Sequence, residues 1–160
     1  MKDGIPALGR RGEGWVAAQI ALAAAVISAG SSAGEAWAGP VRPATTVIGS
    51  ALFVGGGALM AAGALGLGAA RSAFPRPREG GALVESGVYA RVRHPIYTGM
   101  GAGAVGWGLL KASPLALALA VVLAVVLDLK ARREEAWLAE TYPGYEAYRT
   151  RTHRFIPGLY

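Results

Sequence analysis

Two stretches of the sequence carry side chains fit for chemistry. The first is Gly87-Val88-Tyr89-Ala90-Arg91-Val92-Arg93-His94-Pro95-Ile96-Tyr97-Thr98-Gly99. It gathers two tyrosines, two arginines and one of the chain's two histidines at the mouth of an apolar run. Ionisable groups are costly there and therefore usually functional. Pro95 restricts His94 to an extended geometry and suits the first turn of a helix. A helix beginning there points free amide donors outward, a seat for a carboxylate or phosphate, with the His94 imidazole beside it as donor or acceptor. The competing reading is an interfacial belt of arginine and tyrosine. The clustering around His94-Pro95 favours a site.

The second stretch runs from Asp128 to Leu138 and contains Lys130, Arg132, Arg133, Glu134 and Glu135. In a helix, Lys130 and Glu134 share a face at i, i+4, while Glu135 is turned away by about 100°. Only one of the two glutamates therefore faces a given pocket. A self-paired, solvated helix surface is the ordinary fate of such a run. Tyr142, Tyr145 and Tyr148 follow at a spacing of three around Pro143-Gly144, which predicts a short amphipathic tail at the membrane interface.

The elements that must position these stretches are apolar. Hydrophobic residues make up 53% of the 160 residues and charged residues 16%, against roughly 25% charged in soluble domains. With 24 glycines, the composition suits closely packed membrane helices. The absence of cysteine excludes disulfides, thiolate metal sites and cysteine nucleophiles, and no metal site is expected. The segments from about Trp15 to Ala33 and Thr45 to Ala70 reach the roughly 20 residues a spanning helix needs. Two shorter ones, about Ile96 to Leu110 and Leu115 to Leu127, flank Lys111-Ala112-Ser113-Pro114 and read as a tight helical hairpin. Gly99 and Gly103 form a Gly-x-x-x-Gly pair, read chiefly as helix packing. Gly99 and Gly101 could also let a ligand approach the backbone, and Gly55-Gly56-Gly57 reads as packing or a bend. Ala36-Trp37-Ala38 loosely suggests a cleavage site, but a basic start and an apolar run fit a first membrane helix equally well.

The net charge of +6 lies at the ends of apolar runs, so it reads as a topology signal and not as a nucleic-acid surface. Lys2, Arg10 and Arg11 precede the first helix. Arg71, Arg76, Arg78, Arg91 and Arg93 separate the second from the third, and Lys130, Arg132, Arg133, Arg149, Arg151 and Arg154 follow the fourth. The other connections carry only Arg42 with Glu35, and Lys111. The positive-inside rule then puts both termini and the central loop in the cytoplasm, with the inner membrane as the expected location. The reading is one all-α integral-membrane domain over residues 1–160. It has two N-terminal helices within 15–70, and the motif region with the hairpin within 81–160.

The pattern Gly-x-Tyr-x-x-x-Arg-His-Pro-x-Tyr-x-Gly, a hydrophobic hairpin, then Glu134-Glu135-x-x-Leu138 and a tyrosine-rich tail ending Arg154-Phe155-Ile156-Pro157 resembles the isoprenylcysteine carboxyl methyltransferase family. That family belongs to a wider group of integral-membrane methyltransferases that includes phospholipid N-methyltransferases. The resemblance covers roughly the last 80 residues. It implies S-adenosylmethionine as methyl donor, with Leu83, Val84, Tyr89, His94, Pro95 and Tyr97 around it and Glu134 on its amino group. It also implies a basic residue one turn before that glutamate facing the acceptor. Lys130 stands there, where eukaryotic members usually have arginine, and Gly81-Ala82 replace the family's polar residues near Leu83. Lys130 and Arg93 are the candidates for orienting a lipophilic acceptor, and no side chain is assigned as a catalytic base. The expected reaction is methyl transfer to an isoprenylcysteine-type carboxylate. The alternatives are a phospholipid amine or small thiol on the same fold, or a non-catalytic membrane protein whose basic segments serve orientation. A small transporter is weaker, since no charge interrupts a span and no repeat is evident.

Overall fold

A computed structural model describes residues 4–32, 36–68, 72, 74–77 and 81–160. The predicted helix ends at Ala33 and Ala70, and Lys2, Glu35, Arg71 and Arg78, lie outside these described residues. The elements are α1 (Glu13–Ser32), α2 (Val41–Leu67), a 3-10 turn at Gly87–Ala90, α3 (Pro95–Leu110), α4 (Pro114–Thr141) and α5 (Tyr145–Thr150). Among the described residues extended pairing is limited to one isolated bridge, between Val92 and His153, so the fold is all-helical as expected.

Helices α1, α2 and α4, with 20, 27 and 28 residues, are each long and apolar enough to cross a bilayer. Their outward faces carry Ile20, Ile27, Val47, Val54, Val121 and Val125, which water would disfavour and lipid tails accept. Helix α3 has 16 residues, about 24 Å of rise, and packs on both α2 and α4 as the fourth helix of the apolar body. The predicted hairpin forms, and Pro114 opens α4. The Ser113 hydroxyl accepts from the Ala116 amide (3.1 Å) and donates to the Ala29 carbonyl (3.2 Å), tying the turn to α1. Helix α4 does not stop near Leu127. It continues through the charged stretch to Thr141, about 42 Å in all, so its polar half extends past the apolar core.

Glycine sets the distance between α2 and α3. Gly49, Gly56 and Gly63 recur every seven residues, which keeps them on one face. Gly99 and Gly106 face them with the same spacing. A Cβ on Gly56 would fall 2.5 Å from the Gly99 carbonyl oxygen and 2.8 Å from the Gly103 amide. One on Gly106 would fall 2.6 Å from the Phe53 amide. The seam is therefore built on Gly99 and Gly106. Gly103 contributes only its backbone, and Cβ atoms on Gly55, Gly57, Gly101 and Gly103 would meet nothing within 4 Å. Gly99 faces α2, so it offers no approach to a ligand.

The connections meet at one end of the bundle. Gly12, before α1, lies against Pro75 and Trp137, and the Arg76 amide donates to the Arg11 carbonyl (3.4 Å). At the opposite end the Arg42 guanidinium donates to the last carbonyls of α3, Leu109 (3.3 Å) and Leu110 (2.9 Å), satisfying groups that a helix end leaves open.

Candidate functional site

The 81–99 stretch is shaped by its own turn chemistry and by the C-terminal tail. Gly87 takes a positive φ of 61°, a conformation that suits glycine, and the 3-10 turn carries Tyr89 inward. The buried Tyr89 hydroxyl donates to the Gly63 carbonyl of α2 (3.2 Å), and its own carbonyl accepts from the Tyr148 hydroxyl of α5 (2.8 Å). The tail then runs alongside. The amides of Arg93 and His94 donate to the carbonyls of His153 (2.8 Å) and Arg154 (3.1 Å), and the His153 amide donates to Arg91 (3.0 Å). Pro95 starts α3 as predicted. It is fully buried against the Gly63 position of α2 and does not line the cavity described next.

A cavity of about 260 Å³ lies at this end of the bundle, near the lower edge of the size range of small-molecule sites. Leu83, Val84, Tyr89, Arg93, His94, Tyr97, Lys130 and Glu134 all line it. The Tyr97 hydroxyl donates to Glu134 Oε2 (2.6 Å). The His94 and Tyr97 rings stack, 5.2 Å apart and 7° from parallel, and His94 Nδ1 lies 4.0 Å from Glu134 Oε2. The Lys130 ammonium is buried, donates to Gln19 Oε1 of α1, and sits 4.7 Å from the centre of the Tyr97 ring.

Glu135 points elsewhere, as the helical offset predicts. It accepts from Arg93 Nε (2.9 Å) and, through both oxygens, from Arg154 Nε (3.0 Å) and Nη2 (2.8 Å). His94 Nε2 lies 3.3 Å from its Oε1. A carboxylate only accepts, so this contact keeps a hydrogen on Nε2 and leaves Nδ1 toward Glu134. Arg93 Nη1 donates to the Thr152 carbonyl and hydroxyl and to the Arg149 carbonyl. Arg93 borders the cavity, with its Nε on Glu135 and its Nη1 on the tail.

The tyrosine-rich tail is amphipathic, with its apolar face turned into the protein. Tyr145 and Tyr148 are buried and line the cavity together with Tyr142. A spacing of three puts Tyr145 and Tyr148 on one side of α5, and the cavity wall takes them from the interface. Burial raises the hydroxyl pKa of Tyr89, Tyr145 and Tyr148, the last to about 12. These hydroxyls therefore stay protonated near neutrality, as hydrogen-bond groups and not as bases. Among the described residues the buried Tyr145 hydroxyl has no hydrogen-bond partner. The hydrogen bond to Glu135 raises the Arg154 pKa and keeps that side chain charged.

Sequence reasoning missed Gln19, the Phe74-Pro75-Arg76-Pro77 loop, and the tail tyrosines as lining groups. Gln19 did leave a signal, as the lone amide in the first apolar run. The loop left none. It is held by the Arg11 guanidinium over the Phe74 ring (4.3 Å) and by Arg76 Nη1 on the Arg10 carbonyl (3.2 Å), contacts between remote segments.

Comparison with known proteins now bears on this arrangement. The model of the phospholipid methyltransferase family matches residues 44–144, from α2 through the whole polar part of α4. The chain is similar to the nickel-cobalt-cadmium resistance protein NccN of Alcaligenes xylosoxydans xylosoxydans, 36% identical over 78 residues, which is 48% of this chain and 37% of the relative. It is similar to the cobalt-zinc-cadmium resistance protein CzcN of Cupriavidus metallidurans, 36% identical over 87 residues, 51% of this chain and 38% of the relative. The matched part thus spans less than two fifths of either relative's length. No solved structure matches. Since the family model covers well over half of the 160 residues and both polar stretches but the tail, the chain belongs to the phospholipid methyltransferase family.

Proposed function

We propose that this protein transfers a methyl group from S-adenosylmethionine to a lipophilic acceptor at the polar end of its helix bundle. Membership of a membrane methyltransferase family supports methyl transfer. Methyltransferases of that family generally use S-adenosylmethionine. The observation that carries the reading is the convergence of Leu83, Val84, Tyr89, His94, Tyr97 and Glu134 on one cavity, although they come from a loop, a turn and two helices.

The residues present suit the donor. It bears an ammonium, a carboxylate and a sulfonium, and so needs an anion, hydrogen-bond donors and aromatic faces. Glu134 offers the anion, with the Nδ1 edge of His94 beside it. The unpartnered Tyr145 hydroxyl is a buried group awaiting a partner, and such a group is costly to leave unpaired. Tyr89 and Tyr97 provide ring surface. When bound, the donor supplies an electrophilic methyl. The protein's part is to align and to exclude water, which can supply much of the barrier reduction. Tyr97 fixes the Glu134 carboxylate, and Glu135 fixes the His94 ring.

Lys130 stands on the acceptor side. A carboxylate acceptor of the isoprenylcysteine type is already ionised and needs no base, which agrees with tyrosines held protonated. The basic clusters at this end support a cytoplasmic site in the inner membrane. Calorimetry on detergent-purified protein tests the reading. S-adenosylmethionine binds the wild type, and His94→Ala and Glu134→Gln each weaken binding at least tenfold. No binding to the wild type overturns the enzyme reading, and binding that survives both changes overturns the site. Radiolabelled donor supplied to membranes then separates acceptors, with base-labile label for a methyl ester and label in choline-type headgroups for N-methylation.

A further inference from the structure

The arginines at the polar end fall into two sets. Along the tail edge Arg93, Arg132, Arg149, Arg151 and Arg154 each meet a carboxylate, with Arg91 the exception. Beside α1 the pattern is reversed. Among the described residues the guanidinium groups of Arg10, Arg11, Arg76 and Arg133 make no ion pair. Arg11 lies over the Phe74 ring (4.3 Å) and Arg133 over the Trp137 ring (4.4 Å). Arg133 Nε is buried without an acceptor, and Arg76 Nη1 bonds the Arg10 carbonyl (3.2 Å). The nearby Glu13 carboxylate accepts from the Arg11 amide (3.0 Å), not from its guanidinium.

Three remote segments bring these arginines together. A Cβ on Gly12 would fall 2.9 Å from Pro75 and 3.3 Å from Trp137, so the lead into α1, the 74–77 loop and the polar half of α4 share one junction. The lead is folded on itself there. The Gly14 amide donates to the Leu8 carbonyl (2.8 Å) and the Trp15 indole to the Pro6 carbonyl (3.0 Å). This turn holds Leu8 at a positive φ of 46°, a strained conformation for a non-glycine residue, and leaves its side chain 43% exposed. The outward apolar face of α1 begins nearby. Ile20, seven residues and about 10 Å past Glu13, is 62% exposed. Unpaired arginines beside an exposed leucine, at the end of a helix apolar enough to span, match the two layers of a lipid interface. Phosphates lie outside and acyl chains inside.

We propose that Arg10, Arg11, Arg76 and Arg133 form a seat for the headgroup of an acidic phospholipid, with Leu8 against its acyl chains. Guanidinium groups suit this partner because their planar forks bond phosphate oxygens two at a time. The lipid is a bound component of the bilayer and not the methyl acceptor. Of the four arginines only Arg76 borders the cavity, so the seat does not depend on the methyl-transfer reading.

Native mass spectrometry of the detergent-purified full chain tests this, with phosphatidylglycerol and phosphatidylcholine of identical acyl chains. The wild type should retain phosphatidylglycerol at a concentration at least tenfold below that needed for phosphatidylcholine. A basic residue near anionic headgroups is worth about fivefold in binding. Arg10→Gln combined with Arg11→Gln should therefore abolish the preference, and Arg133→Gln should cut it about fivefold. Arg10 and Arg11 are exposed, so their double variant should keep the wild-type unfolding temperature in lipid-free detergent, which separates lost binding from lost folding. Arg91→Gln combined with Arg149→Gln removes the same charge at the tail edge and should leave the preference within twofold. Equal retention of both lipids by the wild type overturns the proposal. So do equal losses from the two double variants, which would mean diffuse charge and no seat. Displacement of phosphatidylglycerol by millimolar inorganic phosphate would mark a site for the free anion and overturns the lipid as occupant.

Discussion

Glu134 and Glu135 are adjacent in sequence and lie in opposite kinds of environment. Around Glu134 the network is sparse: one tyrosine hydroxyl, an imidazole edge at 4.0 Å and an open cavity. Around Glu135 it is saturated, with two arginines, one of them bidentate, and the other edge of the same imidazole. The unsaturated carboxylate has capacity left for a ligand. The saturated one holds the tail against the motif through Arg93 and Arg154 and sets the ring of His94. A step of about 100° around the helix thus divides the carboxylate proposed to bind the donor from the one that clasps the tail, and His94 touches both.

The largest expected effect breaks the clasp. Glu135→Gln removes the counter-charge of the Arg93 guanidinium and leaves Arg154 only Asp128, at 3.4 Å, and removing one partner of a buried pair costs about 3–5 kcal/mol. Thermal unfolding in detergent should shift strongly downward, while the protein that remains folded binds S-adenosylmethionine nearly as the wild type does. Glu134→Gln should do the reverse. Loss of a charge-assisted bond is worth about 1.5–3 kcal/mol, or roughly 10–100-fold in donor affinity, with the unfolding temperature unchanged. If the two variants exchange phenotypes, the division of labour drawn from their environments is wrong.

A calibration of the stability assay comes from the glycine seam, far from either carboxylate in character. Gly56→Ala forces a Cβ to within 2.5 Å of backbone, and overpacking of this kind costs about 1–3 kcal/mol. Gly55→Ala, one residue away, meets nothing within 4 Å and should be neutral or stabilising, by up to about 1 kcal/mol. Equal effects at the two positions would mean that α2 and α3 do not meet along this face.

The same contrast explains what could be read in the sequence. The helices, the hairpin and the 100° offset between Glu134 and Glu135 follow from periodicity and local rules, and the structure agrees with them. The seam spacing was less legible. The Gly99–Gly103 pair drew attention because it is short, yet the partner that matters is Gly106, selected by Gly49 and Gly56 on another helix. Gln19, Phe74 and Arg154 reach the cavity or the clasp through contacts between remote segments, for which sequence spacing carries no signal. Tyr145 and Tyr148 were visible as a face, but whether that face meets lipid or protein depends on where α5 docks.

The smallest effect concerns that docking. Tyr148 donates to the Tyr89 carbonyl (2.8 Å) and links α5 to the turn ahead of the motif. Tyr148→Phe deletes one buried hydrogen bond, about 1 kcal/mol. It also has a pH signature. The folded Tyr148 holds its proton up to about 12 because burial disfavours the phenolate, whereas an unfolded tyrosine ionises near 10. The stabilising bond is therefore fully present below pH 10, and its contribution is lost as pH rises from about 10 toward 12. Unfolding followed across that window should show a steeper loss in wild type than in Tyr148→Phe, so that the two converge at high pH. Parallel curves would mean that the hydroxyl does not tie the tail to the motif, and that the Glu135 clasp holds α5 alone.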